Sequence, residues 1–209
     1  MKLYQFPLSP NCQKVIALAH EVGVPLEAIN VDLFKGEQRT AELLAKNPNG
    51  RVPVLEDGDF VLWESNAMLG YIAAKADRTD LAPVTLRERA DVDRWLAWHI
   101  AHFGPAVGKV AFERVVKKIG GLGAPDESIV QKGSAEFVAL AKVLDQSLAG
   151  REYLCGRLTI ADFCLAPYAA ITESCGLDLR AYPRAYAWLE RIVARDSVRK
   201  ALASARGAQ

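Results

Sequence analysis

Residues 3–12 read Leu-Tyr-Gln-Phe-Pro-Leu-Ser-Pro-Asn-Cys, a short strand-like run followed by the start signals of a helix. Ser9 is of a type favoured immediately before a helix, and Pro10 is of a type favoured at the first helical position. Apolar residues then recur at helical spacing as far as Val22, and the Gly-Val-Pro sequence at 23–25 ends the helix. These residues predict a strand that leads directly into a helix.

The alternation of strand-like and helical patterns continues to about residue 76. We expect further strands at 26–31, 54–56 and 60–62, and helices at 41–46 and 64–76. The Asp-Gly-Asp sequence at 57–59 suits a hairpin, because glycine tolerates positive φ. The order is β-α-β-α-β-β-α, and its strand-helix-strand opening implies parallel pairing of the first two strands through a right-handed crossover. This order predicts a thioredoxin-like α/β domain over residues 1–77.

Beyond residue 80 the strand-like patterns disappear. Pro83 and the loop around it indicate a linker, and a long helix is expected from about Leu86, with a kink at Pro105. Further on, Thr159 and Asp162 have the spacing of a capping box, in which each side chain accepts a hydrogen bond from the other residue's backbone. We therefore predict a second, all-helical domain over residues 86–209.

Composition excludes several classes of function. The 209 residues carry 26 basic and 25 acidic side chains without a long basic block, which argues against a nucleic-acid partner. No apolar run approaches the roughly 20 residues that span a membrane, and the N-terminal sequence lacks a signal-peptide core, so we expect a cytoplasmic protein with no membrane partner. Four cysteines without C-x-x-C spacing predict reduced thiols rather than a disulfide scaffold or a zinc site.

The segment from Ser9 to Cys12 is the first candidate for chemistry. It opens a helix, where exposed amides and the positive end of the helix dipole favour an anion such as a thiolate. The Ser-x-x-Cys spacing is that of a redox Cys-x-x-Cys with its attacking thiol replaced by a hydroxyl, which can donate to another molecule's thiolate. Two other interpretations stay open: Ser9 is only a helix cap, or Cys12 is itself the reactive thiol. We favour Ser9.

Two further positions offer polar groups to a ligand. Pro53 at the head of a strand leaves the backbone of Val52 available for hydrogen bonding. Ser65 opens a helix and can present its hydroxyl and nearby amides to a carboxylate, while Glu64 can attract an amine. Taken one by one, these residues are better explained as the start of a strand and the cap of a helix.

Four motifs occur together and in order: Leu-Ser-Pro-Asn-Cys at 8–12, Asn-Pro-Asn-Gly-Arg-Val-Pro-Val-Leu-Glu-Asp-Gly-Asp at 47–59, Glu-Ser-Asn-Ala at 64–67 and Thr-Ile-Ala-Asp at 159–162. With them the chain resembles the cytosolic glutathione transferases over essentially its whole length, and most of all the phi- and theta-like serine classes. The resemblance implies a thioredoxin-like domain that binds glutathione, a helical domain that supplies most of the pocket for an electrophile, and a two-fold homodimer.

The resemblance also implies roles for individual residues. Ser9 stabilises the glutathione thiolate. Val52 pairs its backbone with the cysteinyl unit before a cis Pro53. Glu64 and Ser65 hold the γ-glutamyl end.

The glycine end of glutathione is expected at three positions that depart from the phi-like pattern. Gln38 and Arg39 stand where that pattern has a His-Lys pair, and Arg51 stands where it has glutamine. We expect the electrophile pocket to include Leu8, Trp95, His99, His102 and Phe103. His99 and His102 also have a spacing that metals accept, but no third ligand accompanies them, so we expect no metal.

The predicted activity is that of a glutathione transferase with a detoxifying role. A free thiol ionises near pH 8.5, so only a few per cent of free glutathione is thiolate at neutral pH. The enzyme would lower that pKa and direct the thiolate at an electrophilic carbon or a peroxide. The alternatives are a glutathione-dependent thiol-disulfide reductase or isomerase that uses Cys12, and a non-catalytic binding or regulatory protein of the same fold.

Overall fold

The computed structural model describes residues 1–206 and divides them into two units. The first unit comprises Met1–Ala82 together with the described residues from Ala194 onward, and the second comprises Pro83–Val193. In chain order the main elements are β1 (Lys2–Gln5), α1 (Pro10–Val22), β2 (Glu27–Asn30), α2 (Ala41–Lys46), β3 (Val54–Asp57), β4 (Phe60–Trp63), α3 (Ser65–Lys75), α4 (Leu86–Trp98), α5 (Gly104–Ala111), α6 (Lys117–Gly120), α7 (Glu127–Ser147), α8 (Ile160–Ala170), α9 (Pro183–Val193) and α10 (Asp196–Arg206).

The first unit is built on a four-stranded mixed sheet with the strand order β2-β1-β3-β4. β1 pairs with β2 in parallel, whereas β1 with β3 and β3 with β4 are antiparallel. The hairpin between β3 and β4 turns at Gly58, whose φ of +65° is the left-handed conformation that glycine adopts without strain. The predicted β-α-β-α-β-β-α order is therefore confirmed.

The sheet register brings three chain segments to one edge of the sheet. Tyr4 near the end of β1 pairs with Val54 at the start of β3, and Val54 pairs with Trp63 at the end of β4. The residues that follow β1, precede β3 and follow β4 consequently leave the sheet at the same edge. These segments contain the predicted glutathione residues Ser9, Val52 and Glu64.

The last helix belongs to the first unit. α10 buries Val198 and Ala201, and the Glu21 carboxylate on α1 accepts hydrogen bonds from the side chains of Arg195 and Ser197. We expected residues 86–209 to form one helical domain, and the structure differs at this end because α10 packs against α1. Residues 207–209 of that expected domain lie outside the described residues.

The second unit is helical. One continuous helix runs from Leu86 to Gly120 through α4, α5 and α6, which are joined by π-helical turns at His99–Phe103 and Phe112–Val116. Pro105, at which a kink was expected, is the second residue of α5, immediately after the first π-helical turn. A π-helical turn already interrupts the regular hydrogen-bond ladder, so a residue without an N–H fits there at reduced cost.

The capping box at the start of α8 is confirmed and is buried. One oxygen of Asp162 accepts from the backbone amide of Thr159 at 2.9 Å. The other oxygen accepts from the amide of Leu154 at 3.0 Å and from the indole N–H of Trp188 at 2.9 Å. The carboxylate thus joins the loop before α8, the start of α8 and α9. Across residues 1–206, no helix is both long enough and apolar enough to cross a membrane.

Candidate active site

Ser9 occupies the N-cap position of α1, and its hydroxyl makes no capping hydrogen bond within the described chain. The helix start is held instead by the backbone, because the carbonyl of Ser9 accepts from the amides of Cys12 at 2.9 Å and Gln13 at 3.0 Å. An N-cap serine ordinarily uses its side-chain oxygen for one of the first free amides of the helix. The geometry therefore argues against the interpretation of Ser9 as a side-chain cap alone.

Cys12 is enclosed by the first unit, and its side chain has no exposed surface. Its sulfur accepts from the backbone amide of Phe6 at 3.4 Å. Burial raises the pKa of the Cys12 thiol to about 11, although the Phe6 amide, the Ser9 side chain and the charge of Lys14 each lower it. A nucleophilic cysteine needs an accessible sulfur and a low pKa, and Cys12 has neither.

Val52 and Pro53 precede β3, and the peptide bond between them is cis. The pairing of β1 with β3 ends at Val54, so Val52 lies outside the sheet register. The side chain of Val52 packs against the buried cluster of Tyr4, Val31, Leu43 and Val54. This packing fixes the backbone of Val52 beside the sheet edge.

The turn before Val52 depends on Asn47, a residue that no predicted role covers. The buried Asn47 side chain donates to the carbonyl of Arg51 at 2.8 Å and accepts from the backbone amide of Asn49 at 3.1 Å. Asparagine often bonds to the backbone two residues further along, and this tendency is the signal that could have found it. Asn47 thereby shapes the segment that presents Arg51.

The three residues predicted at the glycine end lie close together. Gln38 and Arg39 belong to a single 3₁₀ turn at Glu37–Arg39. A Cβ atom built on Gly50 would lie 3.6 Å from the carbonyl oxygen of Gln38 and 3.7 Å from Cγ of Arg39. Arg51 follows Gly50 directly, and the side chains of both arginines are exposed. Two cationic groups are therefore available at this point of the surface.

Glu64 and Ser65 form the start of α3. Glu64 has a φ of +71° and a ψ of 103°, an uncommon conformation that costs a residue with a side chain about 1–3 kcal/mol. Its carboxylate is exposed and makes no capping hydrogen bond within the described chain. The Ser65 hydroxyl donates to Oδ1 of Asn11 at 3.3 Å, so the first turns of α1 and α3 are in contact.

A second link between these two turns was not anticipated from the sequence. The Lys14 side chain is 1% exposed, and its ammonium donates to Oδ1 of Asn66 at 2.5 Å. On a helix with alternating apolar and polar faces, lysine ordinarily indicates the solvent face. Local pattern therefore gave no signal for its burial.

The predicted electrophile residues of the helical unit are mostly buried in it. Phe103 has no exposed surface and stacks on Trp98 with ring centroids 5.4 Å apart. The His99 ring meets that of Tyr168 edge-on at 4.6 Å. Trp95 is also buried and borders a cavity of about 480 Å³. Of the four predicted residues in this unit, His102 has the exposed side chain.

Leu8 is half-buried in the loop between β1 and α1. Throughout residues 1–206, no cluster of three or more His, Cys, Asp or Glu side chains could hold a metal ion.

Two domain families and several known proteins are similar to this chain. The model of the glutathione S-transferase N-terminal domain matches residues 1–74, and that of the C-terminal domain matches residues 103–196. Glutathione S-transferase 3 from Zea mays is 37% identical, with 98% of this chain and 94% of that protein covered. The chain belongs to the glutathione S-transferase family. Glutathione S-transferase theta-2B from Homo sapiens is 32% identical, with 93% of this transferase and 81% of the human protein covered.

Solved structures of glutathione transferases have the same fold. Glutathione transferase F7 from Populus trichocarpa superposes with a TM-score of 0.89 at 30% identity and covers 98% of both chains. Glutathione S-transferase-I bound with lactoylglutathione has a TM-score of 0.88 at 28% identity, with 97% and 98% covered. The predicted family, fold and glutathione transferase activity are confirmed, and the comparisons do not favour the Cys12 or non-catalytic alternatives.

Proposed function

We propose that this transferase binds glutathione along the sheet edge at which β1 and β4 end and β3 begins, with the thiol at Ser9. The observation that carries the proposal is the row of paired residues Tyr4, Val54 and Trp63. This row brings the segments around Ser9, Val52 and Glu64 to one edge. An extended tripeptide is about 10 Å long, so its three parts need binding groups from neighbouring segments.

Ser9 activates the thiol in this proposal. Its hydroxyl makes no side-chain capping bond to the first amides of α1, and in this proposal it donates to the glutathione sulfur at the positive end of the helix. Both effects stabilise the thiolate more than the thiol, so the thiol loses its proton to solvent near neutral pH. The thiolate then forms a bond to an electrophilic carbon as the leaving group departs with its electron pair. With a peroxide it forms a bond to one oxygen as the O–O bond breaks, and the other oxygen leaves with the electron pair and takes up a proton.

The rest of the tripeptide is held by its backbone and its two charged ends. Val52 offers its backbone amide and carbonyl to the cysteinyl unit. Glu64 attracts the γ-glutamyl amino group. The Ser65 hydroxyl gives up its hydrogen bond to Oδ1 of Asn11 when glutathione binds and donates, with the amides at the start of α3, to the γ-glutamyl carboxylate. The glycine carboxylate lies at Gln38, Arg39 and Arg51, where the two exposed guanidinium groups supply the charge.

The electrophile is assigned to those residues of the predicted pocket that have exposed surface. Leu8 and His102 have exposed surface, whereas Trp95, His99 and Phe103 are packed within the helical unit. We therefore assign direct contact to Leu8 and His102. The three buried residues act by holding His102 and the π-helical turn in place.

A homodimer is also part of the proposal. β4 is an edge strand of the sheet, and Phe60 and Trp63 on it are 45% and 40% exposed. An uncovered edge strand with exposed aromatic side chains promotes aggregation unless a partner covers it. A two-fold interface between the thioredoxin-like domain of one subunit and the helical domain of the other would cover this strand. We place the enzyme in the cytoplasm with a role in detoxification.

Binding and turnover assays test the proposal together. The protein should be retained on immobilised glutathione and eluted by free glutathione. It should conjugate at least one member of a panel that contains a halonitroarene, a hydroperoxide, an isothiocyanate and a disulfide. Turnover of the disulfide alone, with loss of that activity in Cys12→Ala, would overturn the assignment of Ser9.

A further inference from the structure

A buried lysine on α1 has no role in the proposed chemistry. The Lys14 ammonium is 1% exposed and donates to Oδ1 of Asn66 at 2.5 Å. Moving an ammonium out of water is costly, and an apolar residue of similar volume at such a position often leaves a protein equally stable. Packing alone therefore does not explain why this position holds a lysine.

A neighbouring side-chain link joins the same pair of helix starts as the Lys14 contact. Asn11 and Lys14 are three residues apart and so lie on one face of α1. They contact Ser65 and Asn66, which are the first two residues of α3. A single link fixes only the distance between the two helix starts. Two adjacent links fix their relative rotation as well.

The start of α3 also needs such support. Glu64 has a φ of +71°, and a strained residue keeps its conformation only where its surroundings hold it. Asn66 lies two residues further along. A hydrogen bond from a charged donor is directional, so it opposes a small slide of α3 that apolar packing would allow.

We propose that Lys14 is a positioning residue for glutathione: through Asn66 it holds Glu64 and Ser65 at the correct separation from Ser9. The inference rests on the proposed function, in which one glutathione molecule spans Ser9 and the start of α3. Lys14 touches no part of that molecule and acts only through the helix start that it holds.

The first test compares Lys14, which is hydrogen-bonded to α3, with Lys75, which lies on α3. Lys14→Met keeps the length of the side chain and removes its hydrogen bond. The matched control is Lys75→Met, because Lys75 lies at the exposed far end of α3 and pairs with Asp57. Isothermal calorimetry should show glutathione binding weakened about tenfold or more in Lys14→Met and within about twofold of wild type in Lys75→Met. The KM for glutathione should rise by a similar factor, while kcat at saturating glutathione changes less than about threefold.

The second test uses double variants, because residues that act through one site are not additive. Lys14→Met combined with Ser65→Ala should weaken glutathione binding less than the product of the two single losses. Lys14→Met combined with Arg51→Ala, at the glycine end, should give the product of the single losses. A merely structural role of Lys14 would lower the unfolding temperature without producing this difference between the two pairs.

Two results would overturn the inference. One is a folded Lys14→Met whose glutathione affinity stays within about twofold of wild type. The other is a loss of glutathione affinity in Lys14→Met that gives the product of the single losses in both double variants, with Ser65→Ala as well as with Arg51→Ala. If Lys14→Met does not fold, Lys14→Met/Asn66→Leu replaces both partners with apolar groups, a change that is often tolerated. That double variant should bind glutathione at least about tenfold more weakly, and unchanged binding would reject the inference.

Failure of the inference is distinguishable from failure of the proposed site. Ser65→Ala alone should weaken glutathione binding. If it does and Lys14→Met does not, the site stands and the role of Lys14 falls. If neither Ser65→Ala nor Glu64→Ala changes binding, the assignment of the γ-glutamyl end falls, and the inference falls with it.

Discussion

The hydroxyl of Ser65 lies 3.3 Å from Oδ1 of Asn11, to which it donates a hydrogen bond. This contact joins residues 54 positions apart in the chain and brings together the starts of α1 and α3. Ser9 precedes Asn11 by two residues, and Glu64 precedes Ser65. The proposed thiol subsite and the proposed γ-glutamyl subsite are therefore linked by direct contact.

Ser9→Ala should raise the apparent pKa of enzyme-bound glutathione toward the value near 8.5 of a free thiol. The hydroxyl donates to the thiolate, so its removal destabilises the ionised form, at about 1.4 kcal/mol for each pKa unit. Activity toward a halonitroarene should fall at least about tenfold at neutral pH and recover in part at higher pH. The measurement is thiolate absorbance of the glutathione complex as a function of pH.

Cys12→Ala is the matched control for that titration. Cys12 is buried and its pKa is raised to about 11, so the variant should titrate like wild type. An unshifted curve in Ser9→Ala, or a shifted one in Cys12→Ala, contradicts the assignment.

Glu64→Ala and Ser65→Ala should each weaken glutathione binding about tenfold or more. Each variant removes a hydrogen bond to a charged group, which is worth about 1.5–3 kcal/mol. Calorimetric titration with glutathione measures the loss, and circular dichroism checks that the fold is intact. Wild-type affinity in both variants would restrict these residues to the structure of the helix start.

Asp162→Ala should destabilise the helical unit by about 3–5 kcal/mol. The variant leaves the buried amides of Leu154 and Thr159 and the indole N–H of Trp188 without their acceptor. Asp126→Ala is the control, because Asp126 is the exposed N-cap of α7 and its loss should cost only about 1 kcal/mol. Urea unfolding measures the free energy of unfolding of both variants. Equal losses would mean that the burial of Asp162 adds nothing to its contribution to stability.

The attachment of α10 to α1 should weaken in acid. Burial opposes ionisation of Glu21, but hydrogen bonds from Arg195 and Ser197 and the charge of Arg78 outweigh it and lower the pKa of Glu21. The folded pKa lies below the unfolded value of 4.5, so the stabilisation is complete above that value and is lost as the pH falls through the folded pKa.

Glu21→Gln tests this contribution. The variant should be less stable than wild type by about 1 kcal/mol or more at neutral pH, and the difference should shrink below about pH 4. Urea unfolding at several pH values measures it. Asp196→Asn, on the exposed start of α10, is the control and should change stability little at any pH. A Glu21→Gln deficit that does not depend on pH would contradict the prediction.

The enzyme should sediment at equilibrium with about twice the 22.8 kDa of one chain. Phe60→Asp and Trp63→Asp introduce charge at exposed positions of β4 and should shift the population toward the monomer. A fully active wild-type monomer at micromolar concentration would contradict the homodimer.

Much of the fold and part of the site followed from local sequence. The order of strands and helices could be predicted because hydrophobic periodicity, helix caps and turn residues act over a few neighbouring positions. Ser9 at the start of a helix and the hairpin at Gly58 are signals of this kind. The capping box of Thr159 and Asp162 is another, because both partners lie within one helical turn.

Tertiary structure alone decided the features that depend on distant partners. Lys14 is buried because Asn66, 52 residues away, accepts its hydrogen bond, and α10 joins the first unit because Arg195 reaches Glu21 across 174 positions. Phe103 packs inside the helical unit instead of lining an open pocket. Local pattern records the polarity of each side chain, but the cost of burying a charge or the exposure of a ring depends on which other elements pack against it.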